Sequence, residues 1–432
     1  MLSLPDMRKF AVVLLVLTLT LCSCAERSSS PAALSEEKLA AFRTAPSDAL
    51  ALVYCDSPKN LGILPSPSGK LSKLDLSGLE AYTCLVSYCF QGKLVPVMSL
   101  CPVSAKADVA SDFADLKQRA ASSGLFSELI SSSDALQAGK DVMLVSESQS
   151  LLTACKRHLS EGHSILDAQD FSSALEQSSG SGAFIILRNS GAARFTPKGL
   201  FSEAFTFRNL TRILSRCSEW TILLCAQNAG SYEVKFARPE GRVYLSDLME
   251  GLPPAESRLG AVLPVGTEFA VTLSAPCTEF RSGYEKYLDA GAGLTKYRRK
   301  LDELKADSDK DPLKWEKELD VKEVALVQEN GRKVLLVRGR ECPDSAPTEN
   351  PYRGFIPALY GETFSLEDDS FHASALGWHI YGSEKAVRSF ALCEEREEDL
   401  KWPARDSHII FYQTGSFLVW DKKGLKIWNS NQ

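Results

Sequence analysis

The sequence predicts an α+β fold made of two related halves, each an antiparallel sheet with helices packed on one face. Two observations predict it. Strand-like apolar segments alternate with helical ones along the chain, and corresponding segments recur in the same order in its two parts. The 432 residues are 44% hydrophobic and 24% charged, which argues against a disordered chain and provides for two or three domains.

The chain begins with an expected export signal. Arg8 and Lys9 precede FAVVLLVLTLTL, an uncharged run from position 10 to 21. Its length falls within the roughly 7–15 residues of a secretory signal core. A membrane-spanning helix needs about 20 apolar residues, so this run is too short to be one.

The sequence Leu21-Cys22-Ser23-Cys24, at the end of this run, resembles the bacterial lipobox. In a lipobox, Leu lies three positions before the acylated Cys and a small residue lies just before it. The resemblance implies cleavage between Ser23 and Cys24, and lipidation of Cys24. An ordinary signal peptide with incidental cysteines remains an alternative. A metal site is disfavoured, because Cys-x-Cys without nearby His or Cys cannot complete a tetrahedral shell.

The chain divides into five predicted segments. The tether among them is small and polar, and Ser35 is expected to start a short helical run near its end. The linker between the repeats has turn residues and no clear period. We assign residues 1–23 to the lipoprotein signal peptide, 24–44 to a flexible tether, 45–250 to the first repeat, 251–264 to the linker and 265–432 to the second repeat.

Two hairpins carry the clearest correspondence between the halves. LVSYCFQGKLVPVMSLCP at 85–102 and LVQENGRKVLLVRGRECP at 326–343 both begin Leu-Val, turn at a glycine and end Cys-Pro. Asn330-Gly331 is a strong signal for a tight turn, because both residues adopt positive φ at low cost. Chance similarity between β-rich stretches is the alternative to duplication.

Further segments match in the same order, and each half also has its own insert. The matched pairs are ALALVYC with EFAVTLSAPC, DVMLVS with LGWHIYG, ESQSLLTACKRHL with SEKAVRSFALC, AFIILRN with HIIFYQT, and WTILLCAQNAGSYEVKFA with SFLVWDKKGLKIW. The first half inserts the amphipathic sequence FSEAFTFRNLTRILSRC at 201–217. The second half inserts a charged helical segment at 278–319.

One acidic segment has the spacing of a calcium loop. Asp307, Asp309 and Asp311, with Glu318 at the twelfth position, follow the EF-hand pattern. Pro312, however, occupies the sixth position, where the loop needs a glycine with positive φ. We therefore predict that Asp311 caps a helix whose first residue is Pro312.

Histidine, tryptophan and cysteine give no defined site. His372 and His379 could meet His408 in a cleft, but they are seven apart and would face opposite sides of one regular strand. The tryptophans at 402, 420 and 428 could stack on a sugar, although aromatic residues more often form core. The pairing of the ten cysteines after Cys24 cannot be assigned from spacing. We expect no metal and no cofactor, and no catalytic residue can be named.

The whole pattern resembles two-repeat lipoproteins of Bacteroidetes-type bacteria. The lipobox carries the localisation part of this resemblance, and the pieces FRSGYEKYLD, DPLKWEKELDVKEVAL and GRKVLLVRG, between positions 280 and 340, carry the rest. The resemblance implies no known reaction. Ala25, rather than Asp, follows Cys24, and by similarity to lipoprotein sorting signals this favours the outer membrane over the inner one.

We expect an exported protein, lipid-anchored in the cell envelope, that acts by binding a protein or an envelope component rather than by catalysis. The net charge of −6 and the lack of a basic stripe disfavour nucleic acid as a partner. Two alternatives stay open: a hydrolase of envelope polymers with paired carboxylates, and a structural spacer. Two acidic side chains about 5–10 Å apart in a cleft would favour the hydrolase. A broad apolar or aromatic patch would favour binding.

Overall fold

The computed structural model covers most of the chain beyond the expected export signal and tether. The lipobox residues Ser23 and Cys24 lie outside the described residues, as do positions 201–215 of the first insert. None of the described helices combines the length and the apolar composition that spanning a bilayer requires. The described residues are 35–63, 70–103, 107–133, 140–190, 216–225, 232–238, 241–253, 255–393, 395–396, 400–403, 405–413, 416–421 and 424–429.

The described strands follow the hairpins and apolar segments of the sequence. Those of the first part are β1 (Ala51–Cys55), β2 (Tyr82–Phe90), β3 (Leu94–Pro102), β4 (Phe126–Ile130), β5 (Val142–Ser146), β6 (Ala183–Arg188), β7 (Trp220–Cys225) and β8 (Tyr232–Ala237). Those of the second part are β9 (Thr267–Ser274), β10 (Glu323–Glu329), β11 (Arg332–Arg338), β12 (Ser345–Glu349), β13 (Phe371–Ala375), β14 (Trp378–Gly382), β15 (Ser407–Gln413), β16 (Ser416–Asp421) and β17 (Gly424–Asn429).

The described α-helices lie between these strands. Those of the first part are α1 (Glu36–Arg43), α2 (Val109–Ser122), α3 (Gln149–Glu161), α4 (Phe171–Gln177) and α5 (Leu245–Glu250). Those of the second part are α6 (Cys277–Ala290), α7 (Leu294–Ser308), α8 (Pro312–Leu319), α9 (Phe355–Tyr360) and α10 (Glu384–Ala391). Helices α6 to α8 confirm that the charged segment at 278–319 is helical.

All described strands join one antiparallel sheet, and the α+β class is therefore confirmed. The first part contributes the order β4-β5-β3-β2-β1-β6-β7-β8. The second part continues from β8 with β17-β16-β15-β9-β10-β11-β14-β13-β12. Strands β4 and β12 are thus the two edges, and the parts meet where Val234 of β8 lies opposite Leu425 of β17.

Helices cover both faces of the sheet, so our expectation of helices on one face is wrong. In the first part α2 packs on one face, and α1, α3 and α4 pack on the other. In the second part α6 to α9 cover one face and α10 covers the opposite one. The reason lies in strands such as VMLVS in β5, which is buried at every position. A continuous apolar strand needs cover on both sides, unlike a strand of alternating polarity.

Part of the segment that we assigned to the tether belongs to the folded body. Helix α1 begins where expected, because the Ser35 hydroxyl accepts a hydrogen bond from the backbone N–H of Lys38 at 3.3 Å. Phe42 in this helix is completely buried and its ring stacks on Tyr54 at 5.6 Å. The flexible tether therefore cannot extend to residue 44.

The linker at 251–264 is fixed to the second part of the sheet. Leu259 is completely buried. The carboxylate of Glu323 on β10 accepts hydrogen bonds from the Ser257 hydroxyl at 2.6 Å and from the backbone N–H of Arg258 at 2.9 Å. The linker residues near Ser257 therefore pack as part of the second core rather than as a free hinge.

The predicted turn between β10 and β11 is confirmed. Asn330 and Gly331 both have positive φ, of 50° and 70°. Two successive positive φ values match the type I′ turn, whose twist fits the twist of the flanking strands. The turn sets the register in which Lys333 lies opposite Gln328, and this register places both side chains at the site described next.

Candidate functional site

A cavity of about 650 Å³ lies between the sheet of the second part and helix α6, and we call it the α6 cavity. Its floor is formed by β9, β10 and β15, with Lys333 from β11 at the edge. Its walls come from α6, from α5 of the first part and from the turn that follows α9. Both parts of the chain therefore contribute to it.

The floor of the α6 cavity changes from polar to apolar along the strands. At one end a row across four strands contains Lys333, Gln328, Phe269 and Gln413. Two residues further along lies an apolar row of Leu326, Val271 and Phe411, and beyond it lie Leu273 and Ile409. Since alternate residues of a strand are about 7 Å apart, the apolar part of the floor is about 14 Å long, counted from the polar row.

The wall of the α6 cavity is aromatic. Phe280, Tyr284 and Tyr287 lie at positions i, i+4 and i+7 of α6, which places them on one helix face. The ring of Phe280 stacks on Tyr284 at 5.4 Å and on Tyr360 at 5.5 Å. Burial raises the pKa of Tyr284 and of Tyr287, and the nearby positive charge of Arg216 opposes that shift.

A buried ion pair holds helix α6 in place over the sheet. The guanidinium of Arg281 lies 2.5 Å from a carboxylate oxygen of Glu316 on α8, and it donates to the carbonyl of Leu359 on α9 at 2.8 Å. Burial disfavours the charge of Arg281, but the Glu316 carboxylate outweighs it and raises the pKa of Arg281. Removing the charge from either partner would leave the other buried and uncompensated.

The contact between α5 and α6 depends on a glycine. A Cβ atom at Gly283 would lie 2.2 Å from a methyl carbon of Leu248 on α5. Glycine weakens a helix interior, so its use in FRSGYEKYLD is explained by this close approach. The approach brings Leu245 and Met249 of α5 to the wall of the α6 cavity.

Among the residues that the structure describes, four charged side chains line the α6 cavity. The carboxylate of Glu268 accepts hydrogen bonds from the Gln328 amide at 2.6 Å and from the Gly331 backbone N–H at 3.2 Å. The carboxylate of Glu362 pairs with Lys300 at 3.1 Å. The remaining two are cations, Arg216 and Lys333.

The acidic segment near residue 311 is a helix cap, as predicted. The Asp311 carboxylate accepts hydrogen bonds from the backbone N–H groups of Leu313 and Lys314, and Pro312 is the first residue of α8. A hydrogen bond from the Lys305 ammonium, 2.8 Å away, lowers the pKa of Asp311. Within the described residues, no group of three or more His, Cys, Asp or Glu is placed to hold a metal ion.

The histidines are arranged differently from our expectation. His372 and His379 lie on β13 and β14, on the two sides of a turn, and their rings stack at 5.8 Å. The two residues share a face because a hairpin, rather than the one regular strand on which they would face opposite sides, joins them. Three strands lie between β15, which carries His408, and β14, so four strand spacings, about 19 Å in all, separate them.

The tryptophans and cysteines that the sequence singles out are largely structural. Trp420 is buried and packs on Phe236 of the first part at 5.3 Å. The Trp402 indole donates to the Ser257 hydroxyl at 2.9 Å, and the Trp428 side chain lies outside the described residues. The ten cysteines after Cys24 are free thiols. Burial raises the pKa of Cys101 to about 12, so this thiol is not a ready nucleophile.

Our sequence reasoning did not find the α6 cavity. The residues of its floor come from β9, β10 and β15, the first and last of which lie more than 130 positions apart in the chain, and no spacing rule joins them. One local signal was available: the aromatic stripe of Phe280, Tyr284 and Tyr287 in a helix that is otherwise charged. Comparisons with protein-family models, with curated proteins and with solved structures give no match to this chain.

Proposed function

We propose that this chain is an envelope lipoprotein, anchored through Cys24, that binds an envelope component in the α6 cavity without catalysing a reaction. The observation that carries the proposal is the amphipathic lining of this cavity. Its volume, about 650 Å³, falls within the roughly 300–1,000 Å³ of small-molecule sites. An apolar floor, an aromatic wall and a few polar groups at one end are the usual composition of such sites. A structural spacer would need no such cavity.

We further propose that the chain arose by duplication. The strand orders of the two parts support this proposal, because β1 between β2 and β6 corresponds to β9 between β10 and β15. Beyond β2 the first part continues in the order β3, β5, β4. Beyond β10 the second part continues in the corresponding order β11, β14, β13. On the other side, β7 and β8 correspond to β16 and β17.

A hydrolase is the second candidate, because two carboxylates, Glu268 and Glu362, line the same cavity. A general acid needs a carboxyl group that its surroundings keep protonated, usually by apolar burial. The side chain of Glu362 is 71% exposed and paired with Lys300, and Glu268 accepts two hydrogen bonds. These surroundings favour binding. A hydrolase would lose cleavage of envelope glycan in Glu362→Gln, whereas a binding protein would keep its ligand affinity.

Cavity binding is tested with a neutral fluorescent dye, Nile red. We expect the purified body to bind it with a blue-shifted emission, and Val271→Trp, which fills the middle of the floor, to abolish this signal. Met249→Trp fills the wall from α5 and should act in the same way. The urea midpoint of each variant controls for folding, since overpacking typically destabilises by about 1–3 kcal/mol. Equal dye binding by the wild type and both folded variants would reject the α6 cavity as the site.

The anchor is tested at Cys24. We predict that Cys24→Ala abolishes incorporation of labelled fatty acid and releases the protein from the membrane fraction. The physical reason is that two or three acyl chains are needed for stable anchoring, and the thiol of Cys24 is where the first two attach. The matched control is Cys22→Ala, which should still incorporate labelled fatty acid and remain in the membrane fraction. Retention of Cys24→Ala on membranes would reject the anchor.

A further inference from the structure

The charges around the α6 cavity are unbalanced. Its two carboxylates, Glu268 and Glu362, already have partners within the protein. Among the described residues, its two cations, Arg216 and Lys333, have no carboxylate partner within ion-pair distance. Positive charge is therefore what the cavity offers to a ligand.

The position of Lys333 marks one end of the cavity floor as positively charged. Lys333 lies in the polar row of the floor, beside Gln328 and on the same row as Gln413. In the two rows beyond it, the described residues that share this face of the sheet are apolar: Leu326, Val271 and Phe411, then Leu273 and Ile409. A ligand that matches this floor has an anionic group at one end and an extended apolar body.

The second cation lies near the aromatic wall. The positive charge of Arg216 acts on the hydroxyl groups of Tyr284 and Tyr287. Both tyrosines are only partly buried, so their hydroxyl groups and the guanidinium can serve as hydrogen-bond donors to an acid group. A cavity of this volume takes a single chain rather than a folded partner.

We propose that the α6 cavity binds a single-chain anionic amphiphile, with its acyl chain along the apolar rows and its acid group beside Lys333, attracted also by the positive charge of Arg216. This inference rests on the proposed function, since it names the ligand class of the same cavity. A free fatty acid carries the required chemistry and serves as the probe.

The test is displacement of Nile red by three ligands with the same twelve-carbon chain: dodecanoate, dodecan-1-ol and dodecyltrimethylammonium. We expect dodecanoate to bind most tightly and the ammonium most weakly. Lys333→Gln and Arg216→Gln should each lower the affinity for dodecanoate about three- to fivefold, as expected for the loss of an exposed ion pair. Neither variant should change the affinity for dodecan-1-ol. Raised salt should weaken only the binding of dodecanoate.

The matched control is Lys385→Gln, which removes the same charge from an exposed position on α10, on the opposite face of the sheet. It should leave all three affinities unchanged. Equal binding of the three ligands, or equal effects of Lys385→Gln and Lys333→Gln, would overturn the proposal that the ligand is anionic. Either result would leave the proposal of cavity binding standing. Failure of Nile red itself to bind would instead overturn the proposed function.

Discussion

At the scale of single residues, the buried carboxylate of Glu323 joins four neighbouring polar groups. It accepts hydrogen bonds from Ser257, Arg258 and Thr272, and it pairs with the Arg338 guanidinium at 2.9 Å. Its own side chain is 0% exposed. A carboxylate this deep is tolerated because each oxygen has donors, and the network ties the linker to β9, β10 and β11.

We predict that Glu323→Ala lowers the free energy of unfolding by about 3–5 kcal/mol, because it leaves the Arg338 guanidinium and the buried Ser257 hydroxyl without their carboxylate acceptor. The measurement is urea unfolding followed by tryptophan fluorescence. Glu318→Ala is the matched control, since its pair with Lys314 is exposed and such pairs contribute less than about 1 kcal/mol. A loss from Glu323→Ala no larger than that of the control would refute a structural role for the network.

At the scale of elements, the hairpin of β13 and β14 carries two stacked histidines inside the fold. Burial lowers the pKa of His372, and burial together with the charge of His372 lowers the pKa of His379. Within the described residues, the buried Nε2 of His379 has no hydrogen-bond partner. In the protonated ring this nitrogen carries a hydrogen of a charged, buried group and has no acceptor, so the folded state favours the neutral ring.

We predict that the protein loses stability as the pH falls from 7.5 to 5.5. In this window the unfolded histidines, whose pKa is near 6.5, bind more protons than the folded ones, so stability rises with pH. The check is the urea midpoint at both pH values in the wild type and in His379→Gln, which should show a smaller drop. His163→Gln removes an exposed histidine and should keep the wild-type drop. An unchanged drop in His379→Gln would contradict the prediction.

How far the sequence predicts these elements depends on how local their signals are. Asn330-Gly331, the cap at Asp311 and the start of α1 at Ser35 are predicted because each rests on neighbouring residues. Strand β13 and the stacking of its His372 on His379 are missed, since Leu376-Gly377 looks like part of one strand. Both residues have positive φ, and this turn conformation is set by the surrounding tertiary structure rather than by the local sequence. The cavity rows are missed for the same reason: register between distant strands has no local signal.

At the scale of the whole molecule, the two parts share one sheet and one of its apolar clusters. The largest apolar cluster runs from α2 of the first part to α9 of the second. Strand β17 pairs with β8, and Phe236 packs on Trp420 across the same junction. The α6 cavity also takes a wall from each part. Each part would therefore expose apolar surface and an unpaired strand edge if the other part were removed.

We predict that both parts unfold in one cooperative transition. Chemical labelling of buried thiols such as Cys84 and Cys155 reports on unfolding of the first part. Fluorescence of Trp378 and Trp420 reports mainly on unfolding of the second part. The two urea curves should coincide. Ile427→Pro removes a ladder N–H where β17 lies between β16 and β8, and it should separate the curves. Separate curves in the wild type would contradict coupling through this junction.

The two outer strands of the sheet differ in their capacity for self-association. β12 carries Pro347, which has no N–H to donate, and its register is irregular between Ser345 and Thr348. Strand β4 has neither protection and exposes Phe126. Polymerisation by strand addition is therefore open at β4 and hindered at β12, so a chain-to-chain contact through β4 would stop at a dimer instead of growing into a fibre.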